Sequence, residues 1–81
     1  MNITIRFFSV SKVIAGVSER ALIMQESSNL SNALEYIFAE LPALKELHLS
    51  NMYAVGVDYA VGDTLLHEGD IISIIPPVQG G

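Results

Sequence analysis

The 81-residue chain contains no cysteine and no tryptophan. Without thiols there are no disulfides, thiolate metal sites or cysteine nucleophiles, a composition that suits a reducing compartment. Cations are scarce too: four Lys and Arg stand against nine Asp and Glu, a formal net charge of −5. Four scattered positive charges do not make a surface that tracks a phosphate backbone, so nucleic acid is not an expected partner and a basic protein is. No stretch reaches the roughly 18 apolar residues that span a bilayer. The start, Met1-Asn2-Ile3-Thr4-Ile5-Arg6, lacks the basic region, apolar run and small-residue cleavage site of a secretory signal. The expected location is the cytoplasm, with no membrane partner.

What is present is apolar. Hydrophobic residues make up 51% of the chain and charged ones 16%. A domain this small buries only about 60% of its unfolded surface, so it must concentrate apolar side chains, and one domain is all the length permits. Residues 2–8 alternate, with Ile3, Ile5 and Phe7 on one face and Thr4 and Arg6 on the other, the period of a half-buried strand. Residues 9–17, with Gly16 near their end, suit a wide, partly helical turn. Residues 19–25 resume strand character and should pair antiparallel with the first strand.

Ser27-Ser28-Asn29 offers helix-capping side chains, and Leu30, Ala33, Leu34, Ile37, Phe38 and Leu41 follow at helical spacing. Pro42 ends that helix and can open a second, short one over residues 43–49, with Leu44 and Leu47 facing inward. Residues 52–57 read as a third strand, Asp58-Tyr59 as a turn, and Ala60-Val61 as a very short strand. Residues 70–75 form the strongest strand, apolar on both faces through Ile71, Ile72, Ile74 and Ile75, as a central strand is. This order predicts an α+β fold of the ubiquitin-like β-grasp kind: a mixed sheet of four to five strands with one main helix on one face. The body spans residues 1–75, and residues 76–81 form an extended tail.

Side chains for catalysis are sparse. His48 and His67 have no neighbours at metal-ligand or triad spacing and read as solvated turn residues. Asp58, Asp63, Glu68 and Asp70 lie beside turn residues, where short polar side chains close the backbone. No Gly-x-Ser-x-Gly elbow or Gly-rich phosphate loop occurs. The end of the chain is different: Pro76-Pro77-Val78-Gln79-Gly80-Gly81 follows the strongest strand without returning to the core pattern. Two prolines remove two amide donors and fix two φ angles, so the ladder stops and the chain leaves as a polyproline-like stem. At about 3.1 Å per residue the stem reaches on the order of 20 Å, enough to enter another protein's cleft. Glycines at its tip leave the Gly81 α-carboxylate unshielded, and acyl chemistry there requires activation in an ATP-using partner.

Phe7-Phe8, Gly16, Tyr53-Ala54-Val55, Leu66-His67-Glu68-Gly69-Asp70 and the ending Ile74-Ile75-Pro76-Pro77-Val78-Gln79-Gly80-Gly81 together resemble the small subunit of molybdopterin synthase over the whole chain. The two prolines followed by Val-x-Gly-Gly are the specific part. A bare Gly-Gly end is shared with thiamine-pathway sulfur carriers and ubiquitin-like modifiers. Ser11-Lys12 replaces an Arg-Glu common in the family, and Gly56 replaces a frequent Asn. The resemblance implies a sulfur carrier that binds no cofactor. An adenylating enzyme of the ubiquitin-activating type uses ATP to adenylate Gly81, which then becomes a thiocarboxylate. Docked in the large synthase subunit, which supplies the catalytic side chains, it gives sulfur to a cyclic pyranopterin precursor. Position-matching offers Phe7, Tyr59 and Ile75 as an apolar docking patch, with Phe7 and Ile75 also readable as core. Residues Pro76 to Gly81 insert in the partner, and the assembly is a heterotetramer of two small and two large subunits. Two other readings stay open: delivery of sulfur to thiazole synthesis, and a ubiquitin-like tag or interaction module.

Overall fold

In the computed structural model, which describes residues 1–77, the opening alternation becomes strand β1 (Asn2–Phe7), with Ile3, Ile5 and Phe7 buried and Arg6 exposed. A short helix α1 (Val10–Ala15) follows, closed by Gly16 at a left-handed φ of 76°. The Gly16 N–H donates to the Lys12 carbonyl, a termination that glycine allows without a Cβ penalty. Strand β2 (Glu19–Ile23) pairs antiparallel with β1, as its sequence predicts.

Helix α2 (Leu30–Glu40) begins with a reciprocal cap. The Asn29 side chain accepts from the Asn32 N–H at 2.9 Å and the Asn32 side chain accepts from the Asn29 N–H at 2.9 Å. Leu30, Ala33, Leu34 and Ile37 are its buried stripe. Pro42 opens α3 (Pro42–Glu46), which is shorter than the pattern suggested, and a 3₁₀ turn (His48–Ser50) completes the connection. Leu44 is fully buried.

The second half departs from expectation at one hairpin. Strand β3 (Met52–Val55) stops before Gly56, and Asp58–Tyr59 is itself strand β4 rather than a turn. The two-residue connection is Gly56-Val57, with Gly56 at φ 63° and pairing resuming at Val55↔Asp58. A glycine with positive φ at the first loop position is what a tight II′ hairpin needs, so glycine rather than the Asp-Tyr pair sets the reversal. Ala60 and Val61 form no strand.

Strand β5 (Ile71–Ile75) lies in the middle of a five-stranded sheet of order β2-β1-β5-β3-β4, parallel to β1 and antiparallel to β3. Ile72 and Ile74 meet the helices and are wholly buried. This is the β-grasp architecture, with α2 and α3 covering one sheet face. The parallel pairing gives the body two distinct ends. Phe7, Ile75 and the start of β3 lie at the end from which Pro76-Pro77 departs; Asn2, Ile71 and the Gly56-Val57 hairpin lie at the other. Among the described residues no helix is long and apolar enough to cross a membrane.

Candidate functional site

The site is built on the last rung of β5. Ile75 faces Met52 across the sheet, and the register places both on the face opposite the helices, along with Ala54 and Tyr59. Pro76 is half-buried and Pro77 exposed. Neither has an N–H, so the ladder with β1 and β3 ends there. Around this root Ser9, Val10, Leu47, Ser50 and Asn51 line a cleft of about 360 Å³ against Pro76 and Pro77. Val78, Gln79, Gly80 and Gly81 lie outside the described residues.

The three residues offered as a docking patch separate. Tyr59 is 72% exposed on the open sheet face and Ile75 is partly exposed on the same face. Phe7 is not part of the patch: at 2% exposure it points to the opposite face and packs in the core with Ile72 and Ile74. Alternation of β1 decides this, since Phe7 shares the parity of Ile3 and Ile5. The exposed aromatic at this end is Phe8, one residue on, and Met52 joins it on the surface. Parity along β1 was legible for Phe8. For Met52 the needed information is the β3–β5 register, which the sequence does not carry.

The histidines also separate. His67 is exposed, and the nearby Asp70 carboxylate accepts the His67 backbone N–H at 2.8 Å, closing the turn. Glu68 has a structural role as well, accepting the Asn2 N–H through both oxygens at 3.0 and 3.1 Å. His48, by contrast, is not a solvated turn residue. Its Nδ1 lies 2.6 Å from the Tyr53 hydroxyl, and its ring packs edge-on against Phe38 with centroids 5.3 Å apart. Burial pushes the Tyr53 phenol above its usual pKa. The Asn51 side chain opposes part of that rise, although its buried Nδ2 forms no hydrogen bond of good geometry among the described residues. These groups hold the 3₁₀ turn beneath the tail root. Among the described residues no group of three or more His, Asp or Glu could hold a metal ion. The described surface therefore presents an apolar sheet face and a proline-stemmed exit, features suited to docking.

Comparison with known proteins places these features. A family model described as the ThiS family matches residues 5–81. The molybdopterin synthase sulfur carrier subunit of Chlamydomonas reinhardtii is 30% identical over 83 residues, covering 100% of both chains. Among solved structures, a chain from the complex of subunits 1 and 2 of molybdopterin-converting factor from Helicobacter pylori is 29% identical, covers 100% of both chains and superposes with a TM-score of 0.73. The structure of SAMP1 from Haloferax volcanii superposes with a TM-score of 0.89 over 100% of both chains at 18% identity, a likeness of fold.

Proposed function

The chain belongs to the ThiS family, and from that premise we propose that it is the sulfur carrier subunit of a molybdopterin synthase, acting in the cytoplasm through its C-terminal Gly81. The observation that carries this reading is the exit of Pro76-Pro77 from the central strand at the edge of an exposed apolar face. A body that docks by its sheet and projects its terminus is what a carrier requires. The full-length likeness to a carrier subunit and to a chain from a complex of subunits 1 and 2 of molybdopterin-converting factor supports the pterin acceptor over thiazole synthesis.

The chemistry follows from the terminal atoms. A carboxylate is a poor electrophile, so the partner adenylating enzyme joins the Gly81 carboxylate to the α-phosphate of ATP and releases pyrophosphate. Hydrosulfide-level sulfur then attacks the acyl carbon, AMP departs, and loss of the sulfur-bound proton leaves a thiocarboxylate. Sulfur so activated is ionised and nucleophilic near neutral pH. Gly80 and Gly81 carry no side chain past the narrow reaction centre, while Pro76, Pro77, Val78 and Gln79 form the stem in the large subunit's cleft. Tyr59 and Ile75 contribute to the docking face, and two small and two large subunits make the heterotetramer.

The test is the intact mass of the chain after co-expression with its adenylating enzyme and a sulfur source. The expected gain is one oxygen-to-sulfur exchange, lost on deletion of Gly81 with no change in melting temperature, because a chain-terminal glycine has no side chain to bury. An unchanged mass under conditions that load a control carrier would refute the reading.

A further inference from the structure

The net negative charge of this protein does not surround its tail. Nine carboxylates and four cations give the formal −5, and the fold sorts them by position. Towards the tail end and the helical side, Arg6 pairs with Glu19 and Arg20 with Glu40. Glu35 and Lys45 line one groove between α2 and α3. Lys12 and Glu46 complete a set of four cations and four carboxylates whose charges cancel. The other five carboxylates, Glu26, Asp58, Asp63, Glu68 and Asp70, account for the whole side-chain excess. Asp58 sits on the hairpin, Glu68 and Asp70 lie beside Asn2 and Thr4 where β5 begins, Glu26 follows β2, and Asp63 adjoins the first turn of α2. All five are at the end remote from Pro76, where the Met1 ammonium offsets only one of them.

Beside the tail root one cation is left over among the described residues. A groove of about 420 Å³ runs between Arg6, Phe8, Ser9, Lys12, Ser18 and Glu19. It shares Ser9 with the cleft that holds Pro76 and Pro77. Two cations face one carboxylate in it, and among the described residues Lys12 forms no ion pair. The half-exposed Phe8 supplies an apolar wall.

We propose that this groove is a second contact of the tail-bearing end, that it receives an acidic segment with an apolar residue on the protein that accepts the tail, and that the charge separation along the molecule steers encounter tail-first. The inference rests on the carrier reading and reverses what the composition alone suggests, a basic partner. An acidic rim around the accepting cleft repels the five-carboxylate end and attracts Lys12 and Arg6. Opposed charge at a rim acts chiefly on the association rate and fades with salt, whereas desolvated apolar contacts do not.

The test is the association rate constant of the chain with the large synthase subunit from the same organism, measured by stopped flow at low and high ionic strength. Lys12→Glu, on an exposed helical position, is expected to slow association about tenfold or more at low salt, with the difference collapsing to within about twofold near 0.5 M salt. Asp58→Lys, an equal and opposite change at the remote end, is expected to have a much smaller effect. Unchanged or faster association of Lys12→Glu overturns the proposal. So do equal and opposite effects of the two variants, which would mean that net charge rather than its location matters. Absence of any complex with the unaltered chain, at concentrations where sulfur loading of Gly81 is also absent, overturns the carrier reading and this inference with it. Loading without a complex leaves a sulfur carrier but overturns its assignment to the synthase, whereas a complex whose association rate is indifferent to Lys12→Glu overturns only the groove.

Discussion

At the residue scale, His48 and Tyr53 act as one unit although neither is conspicuous in the chain. The Tyr53 hydroxyl and His48 Nδ1 are 2.6 Å apart, and the hydroxyl is the only hydrogen-bond partner of that ring nitrogen among the described residues. Tyr53→Phe strands the imidazole nitrogen in a half-buried site and is expected to cost about 1–2 kcal/mol. The same substitution changes the response to alkali. Burial raises the folded pKa of Tyr53, so the unfolded phenol ionises first. The stability it confers is fully present below the unfolded value of about 10 and is lost as pH rises through the higher folded value. Urea midpoints at about pH 9 and about pH 11 should therefore fall further for the unaltered chain than for Tyr53→Phe. An equal fall in both would show that Tyr53 does not titrate differently on folding.

At the element scale, the cap of α2 carries more than its neighbours because α2 is the one long helix and has no acidic residue in its first turn to help it. Asn29→Ala removes the side-chain acceptor of the Asn32 N–H and leaves that first-turn amide without its cap, while the bond from the Asn29 N–H to the Asn32 side chain is kept. A loss of about 1 kcal/mol is expected, read as a fall in melting temperature of about 4–8 °C for a domain of this size. No measurable fall would mean that packing alone fixes the start of the helix. This element was legible in detail, since capping residues and apolar spacing pointed to one boundary. The β3–β4 hairpin was legible only in part. Val57 is β-branched and reads as strand, yet it is the exposed second residue of the loop. Asp58 and Tyr59 have turn-like composition, yet they complete two rungs with β3. Local preference is weak over two residues, and cross-strand pairing overrides it.

At the scale of the whole molecule, the two faces of the sheet divide stability from docking, and two aromatic substitutions separate them. Phe7→Ala opens a cavity among fully buried neighbours and is expected to cost about 3–5 kcal/mol, much of the total of a small domain. Tyr59→Ser lies on the open face and should shift stability by about 0.5 kcal/mol or less while weakening the complex with the large subunit. Chemical denaturation and titration calorimetry check the pair. A stable Phe7→Ala variant with impaired binding would place Phe7 back in the docking patch. Charge is divided along the other axis of the body, with the carboxylate excess away from the tail.

The sequence by itself determined the β-grasp class, the core parity of β1, the buried stripe of α2, the central place of β5 and the proline-stemmed exit. Each is written in local periodicity or in the backbone limits of single residues, which act over a few positions whatever the rest of the chain does. Only the tertiary structure decided that Met52, Ile75 and Tyr59 share a face, that His48 meets Tyr53, and that five carboxylates gather at the end opposite Pro76. Those facts depend on strand register and on the parallel pairing of β1 with β5, contacts between residues tens of positions apart. Such contacts are selected by the packing of the whole core and have no signature in any short stretch of the chain.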